Sequence, residues 1–297
     1  MRSQRCCADG GAVVKLIAPR LVPRVWGGTR LAGLFPDAAP QEPAEVRIGE
    51  AWFGEIGDRR PLVKLLDVHD RLSVQVHPND ALAAELHGAG SLGKHEAWII
   101  LEAAPNAHLL LGRDPAVSAE QISTSLARGE KVEPLLARIS VKVGDALDVP
   151  PGTLHALMPG LLVWEVQQPS DLTYRVSDWG RDHPDRPLHQ GEARRATDPA
   201  ATVKRLQAID WAKPGVCVIT VSRAFEVRAV VGPWIGTLDT PRGATLTLTS
   251  RNGADAEAQV GRVTLHALQS ASCEERETPL SLPLGAALLV AEPGRMA

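Results

Sequence analysis

Residues 144–157 read GDALDVPPGTLHAL, and the spacing of four positions predicts a strand, a tight turn and a second strand. Five residues separate Gly144 from Pro150, and Gly152 and His155 follow two and five positions after that proline. Proline and glycine are turn residues, each for its own conformational reason. His155 therefore projects from the strand that follows the turn.

Two polar pairs interrupt strand-like runs earlier in the chain. Gln75 and His77 stand two apart in LSVQVHPND, and Lys94 and Glu96 stand two apart in GKHEAW. Residues two apart share one face of a strand, so each pair points to one side. Burying four such groups costs several kcal/mol unless they are paired or bound to an ion.

A metal site explains these pairs better than isolated buried side chains do. A single buried histidine such as His77 usually needs no more than one hydrogen-bond partner. Two polar pairs together with His155 are harder to account for in that way. Imidazole, carboxylate and amide groups are ligands of divalent metals. The predicted ligands are Gln75, His77, Glu96 and His155. His95 lies between Lys94 and Glu96, so alternation points it away from the metal.

Composition indicates an ordinary globular protein of 297 residues with 44% hydrophobic and 23% charged residues. The formal net charge of −3 gives no basic surface for nucleic acid and no polybasic signal for a membrane. Four cysteines without a CxxC pair favour neither a cysteine zinc site nor a disulfide framework. No stretch is typical of a signal peptide or a membrane span, so a cytoplasmic protein is expected.

Short strands separated by glycine and proline predict an all-β fold. One helix is predicted where Ser118 and Gln121 have capping-box spacing, and Gly129 is expected to end it. A second short helix is expected to bring Leu135, Leu136 and Ile139 to one face.

A weak internal repeat favours two domains. VPPGTLHAL (149–157) is echoed by LPLGAALLV (282–290), with Leu288 in place of His155. We expect a disordered segment at 1–12, a metal-binding domain with a helical insert at 13–205, and a degenerate second domain at 206–297.

Longer strings resemble one enzyme family and cover most of residues 13–190. The Gly144–His155 spacing resembles the second motif of cupins, which are small jelly-roll or double-stranded β-helix barrels. The whole set resembles type I mannose-6-phosphate isomerases of the short bacterial kind. The strings are VWGGTRL (25–31), IGEAWFGE (48–55), PLVKLLDVHDRLSVQVHPND (61–80), GKHEAWIIL (93–101), VPPGTLHAL (149–157) and VWEVQQPSDLTYRVSDWGR (163–181).

The resemblance implies two cupin barrels and one zinc ion per chain, held by the four predicted ligands. It implies interconversion of mannose 6-phosphate and fructose 6-phosphate through an enediol, with Arg175 and Lys94 as catalytic residues. Arginine does not act as a base at ordinary pH, so Arg175 is expected to stabilise the enediolate or hold substrate. Lys94 is the predicted base, on the hypothesis that the metal lowers its pKa.

Three further residues are candidate substrate contacts, each with a simpler explanation. Trp26 lines the cleft or anchors the N-terminal segment. Glu50 reaches the site through the substrate or through a metal ligand, or it is simply a glutamate at a strand edge. Asp178 contributes to the site or forms a surface ion pair with Arg175. A phosphosugar substrate is implied, yet no phosphate-binding loop motif occurs.

Two other functional classes stay open. Two histidines and one carboxylate are also the ligand set of iron oxygenases, although Gln75, Lys94 and Arg175 argue against that class. A sugar-binding cupin without catalysis is the third class. The sequence predicts no nucleic-acid or membrane partner and leaves the oligomeric state open.

Overall fold

A computed structural model describes residues 14–39, 46–181, 186–201, 203–251, 255–274 and 276–294. The segment 1–12, predicted to be disordered, lies outside the described residues. The protein is mostly β with antiparallel sheets, as expected.

Thirteen strands precede residue 206. They are β1 (Val14–Ile17), β2 (Arg20–Gly28), β3 (Ile48–Phe53), β4 (Leu62–Val68), β5 (Val74–Val76), β6 (Glu96–Ala103), β7 (His108–Arg113), β8 (Leu136–Ser140), β9 (Ala146–Val149), β10 (His155–Leu157), β11 (Leu161–Gln167), β12 (Tyr174–Ser177) and β13 (Lys204–Arg205). The helices are α1 (Arg30–Leu34), α2 (Asp80–His87), α3 (Ala119–Arg128) and α4 (Gln190–Ala196), with 3-10 turns at Pro36–Ala38 and Glu133–Leu135.

The rest of the chain adds strands alone among its described residues. They are β14 (Gly215–Val221), β15 (Phe225–Val231), β16 (Trp234–Asp239), β17 (Ala244–Ser250), β18 (Glu257–Val260), β19 (Val263–His266), β20 (Ser270–Cys273), β21 (Glu277–Leu282) and β22 (Ala286–Pro293).

These strands form four sheets. The first part of the chain builds a seven-stranded sheet in the order β13-β9-β6-β11-β4-β2-β3, in which β3 also pairs with β4, and a five-stranded sheet in the order β12-β5-β10-β7-β8. The second part builds a six-stranded sheet, β1-β20-β17-β22-β15-β14, and a four-stranded sheet, β16-β21-β18-β19. Strand β1 crosses the predicted division at residue 205, because it pairs with β20. That division stays a prediction.

Alternating side chains bind the sheets into layers. Along β6, Trp98 and Ile100 pack toward the five-stranded sheet, while Ala97 and Ile99 pack toward the six-stranded sheet. The indole N–H of Trp164 donates to Thr247 Oγ1 at 3.1 Å across that second interface. The seven-stranded sheet is therefore apolar on both faces and lies between two other sheets, which leaves its few polar positions conspicuous.

The capping box is confirmed and the second predicted helix is wrong. Ser118 Oγ accepts from Gln121 N at 3.1 Å, and Gln121 Oε1 accepts from Ser118 N at 2.7 Å. Gly129 ends α3 in the left-handed region. Beyond it only a 3-10 turn forms, and Leu136–Ser140 is strand β8, paired with β7. Long-range pairing with β7 thus overrides a local helical pattern.

Both copies of the weak repeat form the same turn. Thr153 N donates to Pro150 O, and Ala286 N donates to Pro283 O, each at 3.3 Å. Gly152 and Gly285 have φ of 87° and 78°, values that favour glycine. Leu288 is fully buried in the apolar core between the six- and four-stranded sheets.

Candidate metal centre

The predicted ligands of β5 and β10 meet across the five-stranded sheet. Gln75 lies directly opposite His155 in the register, and the amide nitrogen of Gln75 is 3.2 Å from His155 Nε2. Val74 and Val76 point the other way, into the core under helices α3 and α4. The period of two residues therefore places Gln75 and His77 inside, as predicted.

Backbone carbonyls fix the orientation of both histidines. His77 Nδ1 lies 2.8 Å from Leu172 O, and His155 Nδ1 lies 2.9 Å from Thr153 O. A carbonyl only accepts, so each Nδ1 carries the proton and each Nε2 keeps its lone pair. This is the usual arrangement of a metal-binding histidine.

Glu96 completes the cluster from the facing sheet. Its Oε1 atom lies 2.5 Å from His77 Nε2 and 3.8 Å from His155 Nε2. Its Oε2 accepts the indole N–H of Trp98 at 3.0 Å. One ligand atom from each of the three side chains lies within 4.8 Å of the others, and all three side chains are buried. His95 turns away toward Asp148, 2.8 Å distant, as predicted.

The charges of the cluster suit a cation. Burial lowers the pKa of His155 to about 4 and also lowers the pKa of His77, so both rings are neutral near pH 7. Burial alone would raise the pKa of Glu96, but Lys94 and the histidines hold it well below its usual range. Two neutral imidazoles and one carboxylate are the protonation states that a divalent metal requires.

Lys94 lies beside the cluster and is buried. Its Nζ is 3.1 Å from Glu96 Oε1 and 3.4 Å from His77 Nε2. Burial favours the neutral amine, but the carboxylates of Glu96, Glu165 and Asp171 outweigh it and raise the pKa of Lys94 above its ordinary value. Lys94 is therefore an ammonium in this arrangement.

A charged row on the seven-stranded sheet was missed by the sequence reasoning. Trp52, Lys64, Glu165 and Trp98 lie opposite one another across β3, β4, β11 and β6. Lys64 Nζ is 3.7 Å from Glu165 Oε1 and lies 4.1 Å above the Trp52 ring. Burial, reinforced by Glu96, raises the pKa of Glu165 to about 8. The signal was present in the sequence, since Lys64 interrupts the apolar run PLVKLLDV and Glu165 interrupts the run LLVWEVQQ.

A cavity of about 280 Å³ opens beside the cluster, between the five-stranded and the seven-stranded sheet. Trp26, Glu50, Lys94 and Arg175 line it. Gln75 also reaches its wall, so the cavity leads to the ligands. Further polar walls come from residues that the sequence reasoning did not single out: Arg24, Lys64, Ser73, Glu165, Asp171, Thr173 and Arg186.

Trp26 fits both of its explanations, and Glu50 lines the cavity from an interior position of β3. Trp26 is buried in the core and also faces the cavity. Glu50 pairs with Arg24 at 2.9 Å and accepts the Trp52 indole N–H at 2.7 Å.

Asp178 does not line this cavity and does not pair with Arg175. Its carboxylate accepts from Arg181 at 2.7 Å and from Arg186 at 2.9 Å. The surface ion pair considered between Arg175 and Asp178 is therefore absent among the described residues. The roles of all these residues stay predictions.

Within the described ranges, no helix combines the length and apolarity needed to cross a membrane.

We compared the sequence and the fold of this chain with those of known proteins. No family model matches the chain. The mannose-6-phosphate isomerase ManA of Bacillus subtilis is 39% identical over 192 residues, covering 53% of this chain and 58% of that protein. The mannose-6-phosphate isomerase of Streptococcus mutans is 45% identical over 120 residues, covering 40% of this chain and 37% of that protein. The chain thus spans less than two thirds of the length of the curated relatives it matches.

Solved structures extend the similarity to nearly the whole chain. The crystal structure of the mannose 6-phosphate isomerase from Bacillus subtilis has a TM-score of 0.75 and 26% identity, covering 94% of this chain and 99% of that one. A zinc-bound mannose 6-phosphate isomerase has the same fold, with a TM-score of 0.71 at 14% identity, covering 95% of this chain and all of that one. The chain is therefore similar in sequence and in fold to mannose-6-phosphate isomerases, as its motifs predicted.

Proposed function

We propose that this protein is a zinc-dependent aldose–ketose isomerase that interconverts mannose 6-phosphate and fructose 6-phosphate. One observation carries the proposal: the buried cluster of His77, Glu96 and His155 stands beside a polar cavity that also holds Lys94 and Arg175. The similarity to mannose-6-phosphate isomerases supports the choice of substrate.

The donor set fits zinc. Both Nε2 atoms keep a lone pair, because each Nδ1 is hydrogen-bonded to a carbonyl. Glu96 Oε1 approaches both of them. The amide of Gln75 is the fourth donor, since a half-turn of the amide group aims its oxygen at the cluster. A bound zinc ion would polarise a substrate oxygen and stabilise negative charge that develops on it.

Three side chains of the cavity are suited to the proton transfers and to the negative charge of the isomerisation. Isomerisation removes a proton from C2 of the aldose and returns one to C1. Lys94 enters as an ammonium, so it is suited to donate a hydrogen bond or a proton to a substrate oxygen. Glu165, with a pKa of about 8, is suited to exchange a proton near neutral pH. Arg175 holds a permanent positive charge toward the enediolate.

Finer parts of the architecture belong to the same proposal. We infer that the two pairs of sheets are two cupin barrels, one bearing the site and the other serving as scaffold. The matching Pro-x-Gly turns and the buried Leu288 support this interpretation. The cytoplasmic location also stays a prediction.

The test is a coupled assay for fructose 6-phosphate formed from mannose 6-phosphate. The full chain is stripped with a chelator and then given zinc or iron(II) separately. We expect turnover to return with zinc and to be absent from His155→Ala under both conditions. His108→Ala, which removes a histidine from neighbouring β7, is the matched control and should behave as wild type. Oxygen consumption that is restored by iron alone would favour the oxygenase class. Metal binding without any turnover would favour the class of sugar-binding proteins without catalysis.

A further inference from the structure

His189 holds the backbone of Arg175 at the outer edge of the five-stranded sheet. Strand β12 is the edge strand there, and its inner side pairs with β5. Arg175 N donates to His189 Nδ1 at 3.0 Å, and His189 N donates to Arg175 O at 2.8 Å. One residue therefore satisfies both backbone polar groups of Arg175, the first with its ring and the second with its own backbone.

The chain around His189 lies along the edge of β12. Arg175 Nη1 donates to Pro187 O at 2.9 Å, and Gln190 Nε2 donates to Val176 O at 3.0 Å. His189 is also the residue at which α4 begins. The position of Arg175 is thus fixed through both its backbone and its guanidinium by residues 187–190, with His189 at the centre of these contacts.

The ring of His189 must be neutral to make its bond. A backbone N–H only donates, so Nδ1 keeps its lone pair and the ring proton is on Nε2. This is the opposite tautomer from that of His77 and His155, whose Nδ1 atoms face carbonyls. Protonation of His189 would place a second N–H against that of Arg175 and would break the hydrogen bond.

The groups that surround His189 favour the neutral ring. Burial and the guanidinium of Arg175 lower the pKa of His189, and they outweigh the carboxylate of Glu192 in the first turn of α4, which raises it. The rings of Tyr174 and His189 lie 6.2 Å apart between centroids, and the Tyr174 hydroxyl is 2.9 Å from His87 Nε2 of α2. His189 is therefore neutral near pH 7 and becomes protonated only below its ordinary range.

We infer that His189 is a positioning residue for Arg175, and that only its neutral ring holds the guanidinium of Arg175 in place at the cavity. The inference rests on the proposed function. Arg175 lines the cavity and lies opposite Gln75 in the register, so a shift at the edge of β12 would move the guanidinium relative to the metal ligands. A displaced guanidinium would stabilise the enediolate less, because such stabilisation depends on a fixed geometry.

The test compares removal of the ring nitrogen with its replacement. His189→Ala removes the acceptor, whereas His189→Asn offers an amide oxygen near the position of Nδ1, and that oxygen accepts at every pH. His87→Gln is the matched control, because it changes a histidine that bonds Tyr174 instead of Arg175. For each zinc-loaded protein, kcat and KM for mannose 6-phosphate are measured from about pH 5.5 to 8. Hydrogen exchange of the Arg175 amide is measured by NMR.

We expect His189→Ala to lower kcat/KM about tenfold near neutral pH, the effect of one lost hydrogen bond at a positioned group. Most of the loss should be in kcat, because Arg175 acts on charge that develops in the transition state. His189→Asn should restore most of the rate. It should also lose less activity than wild type below about pH 6.5, where the wild-type ring becomes protonated. His87→Gln should follow wild type throughout.

The Arg175 amide should exchange about tenfold faster in His189→Ala than in wild type or His189→Asn. Equal exchange in all three would overturn the role of His189 even if the enzyme is an active isomerase. An identical loss of activity at acidic pH in wild type and His189→Asn would overturn the requirement for a neutral ring. Protection of the Arg175 amide that depends on His189, in a protein without isomerase activity, would overturn the proposed function and leave the contact between the two residues standing.

Discussion

The ammonium of Lys94 donates to Glu96 Oε1 at 3.1 Å, with both side chains buried. A cation held against a carboxylate that is itself a predicted metal ligand is unusual, because the metal would compete for the same oxygen. Without the ion, each charge offsets part of the free-energy cost of burying the other. A metal bound to Glu96 would compete with Lys94 for this oxygen and would leave the ammonium available to the cavity that Lys94 lines.

Lys94→Met tests this role. We expect kcat for mannose 6-phosphate to fall about 100-fold or more, because a positioned proton donor contributes at least that much. Zinc content should stay at one ion per chain, because none of the four predicted ligands changes. Metal analysis and steady-state kinetics on the same sample separate the two effects. If zinc is lost together with activity, Lys94 serves to build the metal site and is not a proton donor.

Glu96→Gln tests the metal site with little change in volume. The carboxamide oxygen can still accept the Trp98 indole N–H, but the negative charge is gone. We expect zinc affinity to fall by more than the roughly 10- to 100-fold that loss of an outer hydrogen-bond partner costs. Competition with a chelator measures the affinity, and Glu102→Gln on the same strand is the control. Equal zinc affinity in the two variants would exclude Glu96 as a ligand.

Strand alternation made much of the site predictable. The period of two residues placed Gln75 and His77 on one face, and it turned His95 away from Glu96. The capping box of α3 was predictable for the same kind of reason, since both of its hydrogen bonds join residues three apart. Local geometry sets these features, so sequence spacing is sufficient to find them.

Features that depend on register were not predictable. Lys64 and Glu165 are about a hundred positions apart and become neighbours only because β4 pairs with β11 in one alignment. A shift of one residue between the two strands would place Lys64 and Glu165 on opposite faces and turn one of them into the apolar core. Residues 136–140 form a strand for a similar reason, because β7 offers them backbone partners. Such pairings depend on the whole sheet, and the sequence of a short segment does not indicate them.

The glycines of the VWGG and IGEAW strings bring two strands into close contact. A Cβ atom on Gly27 would lie 2.3 Å from the backbone nitrogen of Gly49, and neither backbone can move without disturbing β2 and β3. We expect Gly27→Ala to lower the free energy of unfolding by at least about 2 kcal/mol, as overpacking at a rigid contact does.

Gly33→Ala is the matched control. Gly33 lies in α1, and a Cβ atom there would meet nothing within 4 Å. Alanine is favoured over glycine in a helix by up to about 1 kcal/mol, so stability should be unchanged or slightly higher. Urea unfolding of both variants provides the comparison. Equal stability of the two would show that the β2–β3 contact is loose.

Glu165 gives the metal-free protein a distinctive pH dependence. Burial raises the pKa of Glu165 to about 8, well above the value near 4.5 expected in the unfolded chain. Between these two values the folded state holds more protons than the unfolded state, so its stability falls as pH rises. His155 has the opposite shift, with a folded pKa of about 4, but its effect is nearly complete once pH exceeds about 7, because few unfolded histidines with a pKa near 6.5 remain protonated there.

The window between about pH 7 and 8 therefore reports mainly Glu165, with only a small contribution from His155. We expect the metal-free wild type to lose about 1 kcal/mol of stability per pH unit there, close to the limit for one titrating proton. Glu165→Gln should remove most of that slope, because the amide does not ionise. Zinc should reduce the slope in wild type, since a nearby cation lowers the pKa of the carboxyl. Unfolding curves at several pH values measure it, and a wild-type slope identical to that of Glu165→Gln would mean that Glu165 is ionised throughout.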